Sequence, residues 1–377
     1  MNYRKFPAAD MDVSLLGFGA MRLPVIDGDS GKIDEAEATR MIRYAIDNGV
    51  NYIDTAYLYH MGQSEIFLSR ALADGYREKV LLATKMPFWL LKNPDGMGPM
   101  FDEQFEKLKT DRIDMYLMHD VRGSNWDQVR DWKIWDFLAR QREAGRIRFI
   151  GFSFHGESPA EFKTVLDAYP WDFCQLQVNF MDKDEQAGRE GFNHAVSKGV
   201  PIVVMEPLKG GKFTDILRPS IQACWESLSS GRTPAEWALR WAANLPGVLT
   251  ILSGMNTFEQ VEENIRVLSD ADTGMLSGPE LAVFDKLSEE YRKLTPYPCT
   301  ACKYCMPCTA GIDIPNIMER RNACDVYGKT AKMQFEYDNF VPVKASECTA
   351  CGKCEPLCPQ HLEIMRAMRE ATELYKA

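Results

Sequence analysis

Residues 35–54 read EAEATRMIRYAIDNGVNYID. In residues 35–48 the apolar side chains recur every three or four positions, which predicts an amphipathic helix. Gly49 punctuates the join, and VNYID (50–54) reads as a short buried strand. The same unit repeats outward in both directions. Strands are expected at 13–18 (VSLLGF), 80–84 (VLLAT), 115–118 (MYLM), 147–152 (IRFIGF), 173–178 (FCQLQV), 201–205 (PIVVM) and 248–252 (VLTIL). Helical runs lie among them at 129–143, 158–168 and 256–269, and Gly145, Gly199 and Pro246 mark further joins. Continuous apolar strands joined by crossover helices belong to a parallel sheet buried on both faces. Eight such units in under 300 residues is the size of a (β/α)8 TIM barrel. A doubly wound sheet would carry GxGxxG after its first strand, and Gly17, Gly19 and Met21 do not make that loop.

The chain has 377 residues, 45% of them hydrophobic and 26% charged, the balance of a folded globular protein. Its 44 Lys and Arg against 54 Asp and Glu give a net charge of −10, which argues against partners held through phosphate, whether nucleic acid or anionic membrane. No apolar run approaches the ~20 residues of a membrane span. The polar N-terminus, MNYRKF, lacks a signal-peptide core, so a cytoplasmic location is expected.

Barrel chemistry sits at the C-terminal ends of the strands. Those ends carry Asp54, Lys85 and His119 after the second, third and fourth strands, with Tyr59 in the loop that follows Asp54. Each alone has a plain reading as a helix cap, a snorkelling lysine or a rim histidine. Together they form a titratable cluster where this fold places active sites.

At these positions the sequence resembles the aldo-keto reductases. The resemblance covers roughly residues 1–295 and is carried by VSLLGFGAMRLP, YIDTAYLYHMGQSEIFLSRAL, LLATK, RIDMYLMHD, IRFIGFSFHG, QLQVNF, MEPLKGG and LSGMNTFEQVEENI. It implies a catalytic tetrad of Asp54, Tyr59, Lys85 and His119. Carbonyl reduction needs a hydride at carbon and a proton at the developing alkoxide. Tyrosine is too weak an acid near neutrality without help, and a neighbouring ammonium lowers its pKa. Asp54 would orient Lys85 through a charge-assisted bond, and His119 would position and polarise the carbonyl oxygen.

The resemblance also implies a nicotinamide cofactor across the barrel mouth. Ser153 and Gln175 would bond the carboxamide. Pro207, Leu208 and Gly210 would lie near the pyrophosphate, and Gly254, Met255, Asn256, Gln260, Glu263 and Asn264 would hold the adenosine end. Departures are visible. Ser153-Phe154-His155 stands where relatives often have Ser-Asn. Met205-Glu206 occupies a common position of a stacking aromatic. Gly254 and Gln260 replace cations that meet a 2′-phosphate. NADP(H) is expected from the family, with NAD(H) as the alternative. His155 reads equally as a group facing substrate or as a rim histidine. Met61, Trp89 and Trp126 fall in loops that would wall a substrate, where plain packing is as common.

Eight of the eleven cysteines lie in two runs, CTACKYCMPC from 299 and CTACGKCEPLCPQ from 348. The second is C-x2-C-x2-C-x3-C-P, the spacing that binds [4Fe–4S] clusters in bacterial ferredoxins. By that pattern Cys299, Cys302, Cys305 and Cys358 hold one cluster, and Cys348, Cys351, Cys354 and Cys308 the other. The first run departs from it, because Cys308 follows after two residues and Pro307 precedes it. One cluster, or a zinc site, is the rival reading. Cys174, Cys224 and Cys324 read as incidental thiols.

The domains expected are therefore a barrel at 1–295 and a small, mainly α-helical ferredoxin-type module at 296–377. The whole chain resembles a subfamily of aldo-keto reductases bearing such a module. The function that this implies is NAD(P)H-dependent reduction of an aldehyde, ketone or sugar-like carbonyl, coupled to or stabilised by two [4Fe–4S] clusters. A ferredoxin-linked electron-transfer enzyme is one alternative. A non-catalytic electron carrier or partner-docking protein is the other, and retention of the tetrad counts against it. The expected partners are a small carbonyl or alcohol substrate and a redox protein such as ferredoxin.

Overall fold

The computed structural model describes residues 1–214, 218–228, 231–299, 305–358 and 360–376. The chain opens with an antiparallel hairpin, β1 (Tyr3–Phe6) and β2 (Met11–Ser14). Eight parallel strands then close into a barrel. They are β3 (Leu16–Gly19), β4 (Tyr52–Asp54), β5 (Leu81–Met86), β6 (Ile113–Val121), β7 (Ile147–Phe154), β8 (Phe173–Gln177), β9 (Ile202–Met205) and β10 (Val248–Ser253), with β10 returning to pair with β3. The expected strand at 13–18 is therefore two strands. The chain leaves the hairpin at Leu15, whose amide bonds the Asn2 carbonyl, before entering β3.

In chain order the helices are α1 (Glu35–Asp47), α2 (Gln63–Ala71), α3 (Met97–Leu108), α4 (Gly123–Asp131), α5 (Ile134–Glu143), α6 (Pro159–Asp167), α7 (Gly188–Ser197), α8 (Pro219–Glu226), α9 (Pro234–Ala243) and α10 (Phe258–Ser269). In α1 the Asp34 side chain accepts from the Glu37 amide, and Ala38, Met41, Ile42, Ala45 and Ile46 are buried. Burying each large member of that face contributes roughly 1.5–3 kcal/mol. Gly49, at φ +95°, ends the turn, and a Cβ there would stand 2.6 Å from the Tyr3 hydroxyl. The helical run expected at 129–143 breaks into α4 and α5 because Lys133 is left-handed, at φ +51°.

The barrel interior is a packed cluster that includes Tyr52, Ala83, Met115, Leu117, Phe173 and Val203. The hairpin closes one end, where the Phe6 ring meets Phe149 edge-on at 4.7 Å. The open end is the one to which the parallel strands run, which leaves their C-terminal residues free for chemistry.

Contacts divide the chain into two compact units. One comprises Met1–Gly210 with Arg232–Ser277, and the other Gly211–Gly231 with Gly278–Ala377. Besides α8, the second unit holds α11 (Gly278–Lys293), α12 (Ile314–Tyr327), α13 (Ala331–Phe340) and α14 (Ile364–Leu374). Its core includes Ile312, Ile317, Met318, Ala367 and Met368. Asp313 caps α12, and the Tyr337 ring stacks flat on Tyr375 at 3.9 Å. Arg218, before α8, donates to the Asp325 carbonyl at 2.8 Å, which ties the 211–231 excursion into this unit. Among the described residues no helix is long and apolar enough to cross a membrane.

Gly151 on β7 tests the packing. A Cβ there would lie 2.6 Å from the Phe173 ring, which is fully buried and has nowhere to go. Gly151→Ala should cost about 1–3 kcal/mol in urea unfolding. An unchanged midpoint would show that the interior has slack.

Candidate active site

Strand register assembles the site. Asp54, the last residue of β4, pairs with Ala83 of β5. Lys85 lies two residues further along β5, so it shares a face with Ala83. Lys85 pairs with Leu117 of β6, and His119 follows two residues later, where the β6–β7 register shifts between Met118 and Val121. Ser153 of β7 pairs with Gln175 of β8.

The Lys85 ammonium is fully buried. It donates to both carboxylate oxygens of Asp54 at 2.7 Å, to the Thr55 carbonyl at 2.7 Å, and reaches the Tyr59 hydroxyl at 3.5 Å. The Tyr59 and His119 rings face edge-on with centroids 6.3 Å apart. All four residues expected to act together are therefore together. Burial works against charge on Lys85, but Asp54 and Tyr59 outweigh it and hold the ammonium above its ordinary pKa. The Tyr59 hydroxyl behaves otherwise than the sequence suggests. Burial pushes it up by more than Lys85 pulls it down, so the net shift is upward and the proton stays on through neutral pH. Burial first, then Lys85 and His155, push His119 well below the usual histidine range. Its ring is neutral, and its buried Nδ1 has no partner.

Behind this group lies a polar layer that sequence reading missed. Buried Glu65 accepts from Thr84 at 2.6 Å and from Gln104 at 2.7 Å, and Gln104 also donates to the Lys85 carbonyl at 3.1 Å. Only the family motif around Ser64-Glu65 hinted at it. Gln104 sits 39 residues further on, and no local pattern marks it as a partner.

Of the residues expected around the cofactor, Ser153 and Gln175 are buried at adjacent strand ends. The Ser153 hydroxyl accepts from the Asp120 amide at 2.8 Å. Gln175 donates to the Met205 sulfur at 3.5 Å, while its Oε1 is buried without a partner. Pro207 is buried, and Leu208 packs on the barrel's outer core. Gly210 and Gly254 flank Arg22. A Cβ at Gly210 would stand 2.9 Å from its guanidinium, and one at Gly254 3.2 Å from its stem. Arg22 also pairs with Glu206 at 3.5 Å. Met255 is buried. Gln260 accepts from the Asn256 amide at 2.9 Å and so braces the start of α10. Glu263 accepts from the Thr233 hydroxyl at 2.7 Å, and buried Asn264 donates to the Ser253 hydroxyl at 2.9 Å.

Among the wall candidates, Trp89 lies 5.2 Å from the His119 ring, Trp126 packs on Trp135, and Met61 is 77% exposed. His155 is half-buried, and burial lowers its pKa while Asp120 works the other way.

In the second unit, Cys308, Cys348, Cys351 and Cys354 line one cavity of about 200 Å³, and Cys305 also borders it. Thr309 lies 3.4 Å from the Cys351 sulfur. Cys358 is buried and Cys299 half-buried, while Cys302 lies outside the described residues. Among the described residues no three His, Cys, Asp or Glu side chains converge on one metal ion.

Comparison with known proteins agrees with this geometry. The profile of the Aldo/keto reductase family matches residues 15–276, so the chain belongs to that family and is an oxidoreductase of its type. It is 25% identical to L-galactose dehydrogenase of Arabidopsis thaliana over 309 residues, which span 76% of this chain and 93% of that protein. It is 27% identical to the uncharacterized oxidoreductase YrpG of Bacillus subtilis, over 71% of this chain and 91% of that one. Among solved structures, aldo-keto reductase AKR11C1 from Bacillus halodurans in its holo form superposes with a TM-score of 0.63 at 27% identity, covering 76% of this chain and 96% of that one. An aldo-keto reductase from Klebsiella pneumoniae in complex with NADPH shares the fold, with a TM-score of 0.61 at 22% identity over 76% and 96% of the two chains.

The shifts have a kinetic consequence. His119 takes up a proton only below the ordinary histidine pKa of about 6.5, and Tyr59 gives one up only above about 10. The kcat/KM for carbonyl reduction should therefore be flat between about pH 7 and about pH 9. A pH–rate series checks this, and a midpoint near neutrality that disappears in His119→Asn would contradict it.

Proposed function

We propose that this aldo/keto reductase catalyses NADP(H)-dependent reduction of a small carbonyl compound (an aldehyde, ketone or sugar-like substrate) with Tyr59 as the general acid. One observation carries the reading. The buried Lys85 ammonium is held by both Asp54 oxygens within 3.5 Å of the Tyr59 hydroxyl. The site also fits a nicotinamide. The unpartnered Gln175 Oε1 is the acceptor that a carboxamide NH2 needs, and Ser153 stands beside it. Met205, where relatives often place an aromatic, would floor the ring. Pro207, Leu208 and Gly210 would lie along the pyrophosphate, and residues 254–264 at the adenosine end. The preference for NADP(H) over NAD(H) rests on relatives such as the Klebsiella pneumoniae protein.

When bound, the reduced nicotinamide supplies the hydride. Neutral His119 orients the carbonyl oxygen beside Tyr59. As negative charge grows on that oxygen, Tyr59 passes its proton to it, and Lys85 stabilises the tyrosinate left behind. Asp54 keeps the ammonium aimed and charged. Tyr59 regains its proton from solvent. Tyr59→Phe should lose about 10²–10⁴-fold in kcat while NADPH still binds, as read by protein fluorescence. Retention of most of the rate would end the assignment.

We further propose that residues 296–377 are a ferredoxin-type module carrying two [4Fe–4S] clusters beside a barrel domain at 1–295. Its supports are the cysteine spacing and the thiol-lined cavity. A tetrahedral zinc draws its sulfurs to about 3.8 Å from one another, given Zn–S bonds of about 2.3 Å. Thiols spread around a cavity suit a larger inorganic core. Cys308, Cys348, Cys351 and Cys354 would hold one cluster, and Cys299, Cys302, Cys305 and Cys358 the other. Cys174, Cys224 and Cys324, outside the two runs, form no disulfide, which suits a reducing compartment such as the cytoplasm. Anaerobically purified protein should contain about eight iron atoms per chain, and Cys351→Ser should lose about half of them. One zinc per chain without visible absorption would overturn the module.

A further inference from the structure

Tyr59 is followed by three consecutive left-handed residues: His60 at φ +52°, Met61 at +55° and Gly62 at +85°. Glycine adopts that backbone freely, but the two side-chain-bearing residues do not. Such strain persists only where the surroundings over-determine it, and it gathers at functional sites. The His60 ring supplies the determination. It is buried, and its Nε2 accepts from the Leu23 amide at 3.2 Å. Nδ1 must then carry the proton, and it donates to the Ser30 carbonyl at 2.8 Å. One further contact joins the same segments: Ser64, at the start of α2, donates to the Ala20 carbonyl at 3.4 Å. One imidazole thus stitches the turn after Tyr59 to two points on the loop leaving β3.

We propose that His60 is a positioning residue for the reaction: its neutral ring fixes the strained turn that presents Tyr59 to Lys85 and holds the β3 exit loop against it. The inference rests on Tyr59 being the proton donor, and it adds a residue that touches none of the reacting atoms. Only the Nδ1–H tautomer satisfies both partners, since a cationic ring would set N–H against N–H at Leu23. Burial disfavours that cation. The ring's length also matters, because it must span from the turn to Leu23 on one side and Ser30 on the other.

His60→Gly separates the two contributions, since glycine relaxes the backbone yet deletes both ring bonds. Hydride transfer is followed in single turnovers with saturating NADPH and 4-nitrobenzaldehyde as the probe. The rate should fall about tenfold or more, because small misplacements of catalytic groups are costly. NADPH affinity, read by protein fluorescence, should change by less than about threefold. In the cofactor-free protein, tyrosinate absorbance relative to the Tyr59→Phe counterpart should show Tyr59 ionising about half a pH unit or more higher, as it leaves Lys85. A His60→Gly protein within twofold of the parent, with an unmoved Tyr59 titration, would overturn the proposal. If His60→Gly does not fold, His60→Asn tolerates the left-handed backbone and keeps at most one bond. It is judged by the same readouts, with a loss of about threefold or more expected and parental values overturning the role. Tyr59→Phe separates the two failures. A fully active Tyr59→Phe removes the reductase reading, whereas an inactive one beside a fully active His60→Gly removes only the role of His60.

Discussion

A lysine ammonium with no exposed surface is the constraint on which the site depends. Moving such an ion out of water costs several kcal/mol unless its surroundings replace the lost solvent. Here the replacement is specific: two carboxylate oxygens of Asp54 and the Thr55 carbonyl, all at 2.7 Å. Asp54 ends β4, Thr55 follows it, and Lys85 lies on β5, so the pairing of these two strands is also the assembly of the charge pair. The Tyr59 hydroxyl lies 3.5 Å from the same ammonium. In the proposed reaction Tyr59 needs a proton in the ground state and a cation beside it in the transition state, and one arrangement supplies both.

Preorganisation continues away from the reacting atoms. The Glu65–Thr84–Gln104 layer fixes the backbone that carries Lys85, and His60 fixes the turn that carries Tyr59. Both supports are buried polar groups whose hydrogen bonds cross between elements. Such networks rigidify when satisfied and destabilise when cut. Arg22, set between two glycines and facing Glu206, brings fixed positive charge to the same end of the barrel.

Much of this was legible in the sequence, for a physical reason. Strand ends in a parallel barrel bring Asp54, Lys85 and His119 into one ring whatever the loops do, so period and order suffice to place them. The hairpin break at Leu15 and the helix break at Lys133 were not legible, because each turns on a single backbone conformation inside a continuous apolar pattern. Gln104 and His60 were also hidden, since their partners lie 39 and 37 residues away. The excursion at 211–231 joins the C-terminal unit through contacts such as Arg218 with Asp325, 107 residues apart, which no local pattern announces. The cysteine runs were conspicuous by spacing alone, and five of their cysteines border one cavity.

The central claim is that Lys85 serves proton transfer rather than folding or cofactor binding. The most direct measurement is single-turnover NADPH oxidation by Lys85→Met with 4-nitrobenzaldehyde, alongside NADPH affinity and thermal unfolding of the same protein. The account predicts a folded enzyme that binds NADPH as before and transfers hydride about a hundredfold or more slower. Hydride transfer at the parental rate in a folded Lys85→Met protein would contradict it.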